Sequence, residues 1–276
     1  MGLRLGEVKS GALFRFWRSR LWHAGSVTEA QETAAGLDRP LTPRQRARTQ
    51  TIADIVRLGR QHLATHGAAA LSLRAVARDL GVVSSAVYRY VEGRDELLTL
   101  LLIDAFGELG DEVDAAVAQA PEGDHSARFL ALGRAVREWA VREPASYALL
   151  FGSPVPGYSA PAERTTGPGT RVIVSLIGIL DAASRAGQLS LPAEGSPQLP
   201  PTLAADLAAI RSEYGLDLPE ELVARGVLVW SSLFGAVSFE VFNQYGPDTF
   251  RAPAELFNHH LAVLAGVAGL PVRASR

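Results

Sequence analysis

The segment Leu71–Leu98 (LSLRAVARDLGVVSSAVYRYVEGRDELL) constrains this chain more than any other stretch. Leu73, Val76, Ala77 and Leu80 fall at i, i+3, i+4 and i+7, one apolar stripe at helical period. Ser72 precedes the stripe, so its hydroxyl is expected to accept from the first-turn amides. Gly81 follows Leu80 and suits the left-handed backbone that ends a helix. A second helix is predicted to turn Val83, Val87 and Val91 inward, leaving Ser84, Ser85, Tyr88 and Arg89 outside. Small hydroxyls beside a tyrosine and an arginine suit a major groove: the small residues allow close approach, and the long ones reach bases and phosphates. The pattern is a helix-turn-helix, with a third helix opening at Arg94.

These residues resemble the TetR family of bacterial transcriptional regulators. The elements that carry the resemblance are Ser72, Gly81-Val82, Tyr88-Arg89-Tyr90, Arg94 and Leu97-Leu98, preceded by a helix over roughly 42–66. One departure is Val83, where the family often has serine or threonine, so capping of the recognition helix is expected from Ser84 or Ser85. The resemblance implies phosphate contacts from Ser72, Tyr88, Tyr90 and Arg94, which set register without reading sequence. It also implies that Arg74 reaches a base, where an arginine bonds guanine bidentately, and that Ser84, Ser85 and Ala86 face base edges. Arg89 fits either a DNA contact or a solvated surface. Arg44, Arg46 and Arg48 fit backbone attraction or an ordinary basic helix start.

Charge distribution agrees with a nucleic-acid partner although the net charge of −2 does not. Residues 41–100 hold nine arginines against five acids, whereas 101–276 hold twelve against twenty. A basic segment beside an acidic body is the pattern of a reading domain attached to a separate domain. With no cysteine, thiolate metal sites and disulfides are excluded, in keeping with a reducing cytoplasm. No secretory apolar region stands near the start, and the uncharged run Gly226–Phe239 is too short to span a bilayer. A soluble cytoplasmic protein without membrane contact is therefore expected.

Three domains are predicted: an N-terminal extension (1–40), a helix-turn-helix domain (41–100) and a helical body (101–276). The extension holds Phe14-Arg15-Phe16-Trp17-Arg18, which fits an arm tracking phosphates, a membrane-surface contact, or a disordered extension. Thr42-Pro43 makes a good helix entry. Later helices are predicted over 94–118, 124–143, 148–151, 164–186, 202–214, 219–245 and 250–270, separated by proline-rich joints. Arg171–Leu180 is β-branched but sits inside a helix-length pattern, so the fold class is all-α.

The body resembles the WHG-type C-terminal subgroup of the same family at Tyr147–Gly152 and at Trp230 with Phe234-Gly235, Phe234 standing where histidine is expected. Trp139, Tyr147, Phe151, Tyr158, Trp230 and Phe234 form a set that would line an apolar cavity, with Asn243 supplying an amide. Each alone also fits a core position. The helix over 219–245 is apolar on more than one face, which predicts a homodimer presenting two recognition helices to a palindromic operator, about 34–36 Å apart. The expected function is a ligand-responsive repressor whose partners are double-stranded DNA, a second copy of itself and a small, mostly apolar effector. Ligand-independent regulation or activation is the alternative.

An enzyme is disfavoured. Serine-elbow, Walker, zinc-protease and Rossmann patterns are absent, and Gly167-Pro168-Gly169 lacks a third glycine and a preceding strand. His259 and His260 are adjacent and point apart on a helix, a poor metal pair. No metal or cofactor is expected.

Overall fold

The computed structural model describes residues 42–190 and 198–271; the expected extension over 1–40 lies outside these. The described residues form ten α-helices and no strand: α1 (Pro43–His66), α2 (Leu73–Asp79), α3 (Ser84–Val87), α4 (Arg94–Gln119), α5 (His125–Arg142), α6 (Pro144–Phe151), α7 (Ala162–Arg185), α8 (Pro201–Tyr214), α9 (Glu220–Val241) and α10 (Pro253–Val267).

Local chemistry explains most of the boundaries. Thr42 accepts from the Gln45 amide at 3.3 Å, and the Gln45 side chain accepts from the Thr42 amide at 2.9 Å, a reciprocal cap with Pro43 at the first helical position. α1 ends where Gly67 takes φ +75°. Asp95 and Glu96 fill the first turn of α4, where the exposed amides favour negative charge. Asp124 caps α5 by accepting from the Ala127 amide at 2.9 Å.

Three sequence expectations need correction. Ser72 occupies the cap of α2, but its side chain makes no capping bond; burial of Leu73, Val76 and Ala77 holds that helix in place. Val83 is 71% exposed rather than inward. It is itself the cap of a single-turn helix, so only Val87 and Val91, four residues apart, reach the core. Neither Ser84 nor Ser85 caps that helix. Bounds also shift: α6 begins at Pro144, α9 stops at Val241, and α10 starts at Pro253. α9 is 22 residues long and apolar enough to cross a membrane, longer than the Gly226–Phe239 run suggested.

Two apolar cores result. One gathers Ile55, Leu73, Val76, Val87, Val91, Leu97 and Leu101 from α1 to the start of α4. The other gathers α4 from Ala105 onward with α5, α7, α9 and α10 around Phe129, Leu132, Trp139, Leu176 and Leu261. α4 thus belongs to both, and Leu149, Val155 and Tyr158 from the body side pack against the first core.

Candidate nucleic-acid interface and body aromatics

The helix-turn-helix presents a compact outer surface. Arg74 on α2 and Ser85, Tyr88 and Arg89 on and after α3 are exposed, while Ser84, Ala86 and Tyr90 are partly buried. Gly81 takes φ +73°, as the turn requires, and a Cβ there would meet nothing within 4 Å. The Arg48 guanidinium lies 5.4 Å from the Tyr90 ring centroid, so α1 braces the end of the reading element. Arg44 and Arg46 are exposed at the start of α1. Arg94 is placed differently: its guanidinium donates to the carbonyls of Ala68 at 3.1 Å and Ala69 at 3.4 Å. It ties α4 to the turn after α1.

Sequence reasoning missed the polar ties that fix this surface. His62 on α1 meets Asp79 at the end of α2 at 2.6 Å, and that hydrogen bond holds the Asp79 carboxyl below its ordinary pKa. Arg60 on α1 reaches Asp104 and Glu108 on α4 and Glu143 ahead of α6. Arg164 bonds Glu96 through both nitrogens at 2.7 and 2.9 Å. Arg171 donates to Gly107 O at 3.2 Å and pairs with Asp111 and Asp114. α4 is therefore pinned by arginines from α1 and α7. Nothing in local spacing could have flagged these pairs, because the partners are distant in sequence.

In the body, four of the expected residues come together. Tyr147 and Phe151 have ring centroids 5.0 Å apart, Phe151 and Phe234 4.6 Å, and Phe234 and Trp230 4.3 Å. The Tyr147 hydroxyl donates to the Phe234 carbonyl at 3.1 Å and lies 2.8 Å from Ser238 Oγ. Burial pushes its pKa up to about 12. The remaining three stand apart. Trp139 is fully buried in the core with its indole N–H unpartnered. Tyr158 packs on the first core and shares a 2.9 Å hydrogen bond with Thr99. Asn243 is exposed beyond α9 with φ 55°.

Phe151 also borders a cleft of about 910 Å³ between the two cores. Its walls are the end of α1 and the following turn (Leu63, Gly67, Ala68, Ala69), α6 with the loop through Pro156, and the end of α9 (Ser238, Phe242, Gln244). A second space, about 50 Å³ and wholly apolar in its lining, lies between α7, α8 and α9 around Leu176, Ile210 and Val223.

Comparison with known proteins gives this arrangement its place. Residues 129–264 match a family described as "Tetracyclin repressor-like, C-terminal domain". HTH-type transcriptional regulator Mb1846 of Mycobacterium bovis and HTH-type transcriptional regulator Rv1816 of Mycobacterium tuberculosis are each 47% identical over 224 residues, 81% of this chain and 94% of theirs. The chain belongs to the TetR family. The crystal structure of a regulatory protein, SCO4313, is 34% identical, with a TM-score of 0.66, over 82% of this chain and all of that one. A TetR-family regulatory protein from Rhodococcus RHA1 shares the fold at 15% identity and a TM-score of 0.54, over 80% of this chain and 97% of its own. This TetR-family protein is a DNA-binding transcriptional regulator. The body match describes a tetracyclin repressor-like domain, broader than the subgroup suggested by Trp230 and Phe234-Gly235.

Proposed function

We propose that this regulator works in the cytoplasm as a homodimeric, ligand-responsive repressor on a palindromic operator, reading DNA through residues 41–100 and sensing a small, mostly apolar effector through 101–276. The observation that carries the reading is the continuity of α4. It begins at Arg94, directly behind the exposed Tyr88 and Arg89, and runs on into the core that holds the aromatic residues. Displacement of this helix in the body alters the placement of the reading surface.

The dimer reading is supported by apolar and small residues left outward on α9 and α10. Leu228, Ser231, Gly235 and Phe239 follow one another at helical spacing on α9, and His259, Val263 and Gly266 do so on α10. Leu228 and Val263 are each 53% exposed in a single chain. A second copy covering this face accounts for the apolar length of α9 without a membrane.

The test is a gel shift on fragments selected in vitro from genomic DNA, followed by transcription from the bound promoter with and without the protein. A symmetric site, bound by a dimer and silenced by it, is the expected result. An asymmetric site bound by a monomer would refute the dimer, and a rise in transcription would replace repression by activation.

A further inference from the structure

We propose that the cleft between the two cores is the effector site, and that it takes an uncharged, mainly apolar molecule carrying a hydrogen-bond donor. This deepens the ligand-responsive reading, rests on it, and extends the sensing surface from 101–276 to the end of α1 and the turn after it. Inside the body the Phe151, Phe234 and Trp230 rings pack on one another with centroids 4.3 to 4.6 Å apart, and Trp139 is fully enclosed. The apolar gap between α7, α8 and α9 is about 50 Å³, too small for a ligand. The cleft, at about 910 Å³, has room for a small molecule, although it stays open to solvent along part of its length.

Its chemistry is selective. Among the described residues no charged side chain lines it, so an ionic ligand would surrender hydration without a counter-charge from them. Alanines and glycines at 67–69, 145, 148 and 152 leave room beside the Phe151 and Phe242 rings, where a flat apolar body can lie. The polar groups are Ser153, Ser238 and Gln244. Ser238 has a fixed sense. The single hydroxyl hydrogen of Tyr147 goes to the Phe234 carbonyl, which only accepts. The 2.8 Å contact between Tyr147 and Ser238 must then use the Ser238 hydrogen. Ser238, which lines the cleft, keeps only acceptor capacity there, so a ligand group that bonds it brings the donor. On the opposite wall, the carbonyls of Ala68 and Ala69 are already taken by Arg94.

Position gives the site its regulatory meaning. One wall belongs to the DNA-reading part and the others to the body, so an occupant contacts both and favours one relative placement of the two. Its affinity and operator affinity are then coupled in both directions.

Because the chain has no cysteine, single introduced cysteines report their own surroundings. The probe is N-phenylnaphthylamine, uncharged with one N–H, compared with its sulfonated, anionic relative. Maleimide labelling of Ala69→Cys and Ser153→Cys should slow about tenfold at ten times the probe's Kd, while Ala186→Cys, outside the cleft, is unaffected. Ser238→Ala should weaken probe binding about fivefold, one lost hydrogen bond. Absence of protection, equal protection by the sulfonated relative, or full affinity in Ser238→Ala would overturn the assignment. The DNA arm separates the two ideas. If operator affinity still responds to the probe after Ser153→Cys is capped with a bulky maleimide, the effector sits elsewhere: the cleft fails and ligand control stands. If both cysteines are protected while operator affinity is unchanged, the site stands and ligand control fails.

Discussion

At the scale of single residues, exposure separates the side chains proposed to meet DNA from those that hold the helix-turn-helix in shape. Arg74 and Tyr88 are exposed, with no intramolecular tie described for either. Arg74→Ala is expected to cost about 1–3 kcal/mol on the selected operator and to relax preference at one position. Tyr88→Ala should weaken all sequences alike; competition gel shifts against single-base variants distinguish the two patterns. Arg94 is of the other kind. The family resemblance implied a phosphate contact, but its guanidinium is engaged with Ala68 and Ala69. Arg94→Ala should therefore lower thermal stability as well as DNA affinity. Tyr147 makes a pH prediction. Burial raises its pKa from 10.0 to about 12, so the folded state favours the protonated phenol more than the unfolded state does. That contribution is fully present below pH 10 and is lost as pH rises towards about 12. Tyr147→Phe should flatten the alkaline loss of stability across this window in urea titrations; an unchanged slope would place the loss on other groups.

At the scale of helices, the sequence is legible wherever one apolar stripe meets one solvated face. α1, α4 and α5 are predicted almost to the residue because Thr42-Pro43, Gly67 and Asp124 are local signals that act within a turn. The recognition turn is less legible. Val83 reads as a core residue by composition, yet a four-residue helix has room for only one inward side chain per turn. The aromatic set was readable as a group but not as a site: periodicity cannot tell Trp139, which is enclosed, from Phe151, which borders a cleft. Close helix approaches are also invisible to pattern. Gly133 on α5 lies against α9 and α10 so tightly that a Cβ would stand 2.4 Å from Leu261 Cδ2 and 3.1 Å from Leu233 Cδ1. Gly133→Ala should cost about 1–3 kcal/mol by overpacking, read as a lowered Tm, with DNA recognition intact at low temperature.

At the scale of the whole molecule, Gly235 offers a clean test of the dimer. A Cβ there meets nothing within 4 Å in the single chain, so Gly235→Arg starts without a clash and places a cation on the proposed twofold face. Light scattering should show monomers with an unchanged helical circular dichroism spectrum and weak operator binding; a persistent dimer would move the interface away from α9. The length of α4 sets how finely such a dimer is tuned. Its 26 residues extend about 39 Å. Rotation by about 5° around the body end sweeps the Arg94 end through about 3.4 Å, the rise of one base pair. In two subunits related by a twofold axis the gap changes by about two steps of the duplex. In the proposed ligand-responsive dimer an effector would have no need to melt either domain: a few degrees would suffice to put the two reading surfaces out of phase with their half-sites.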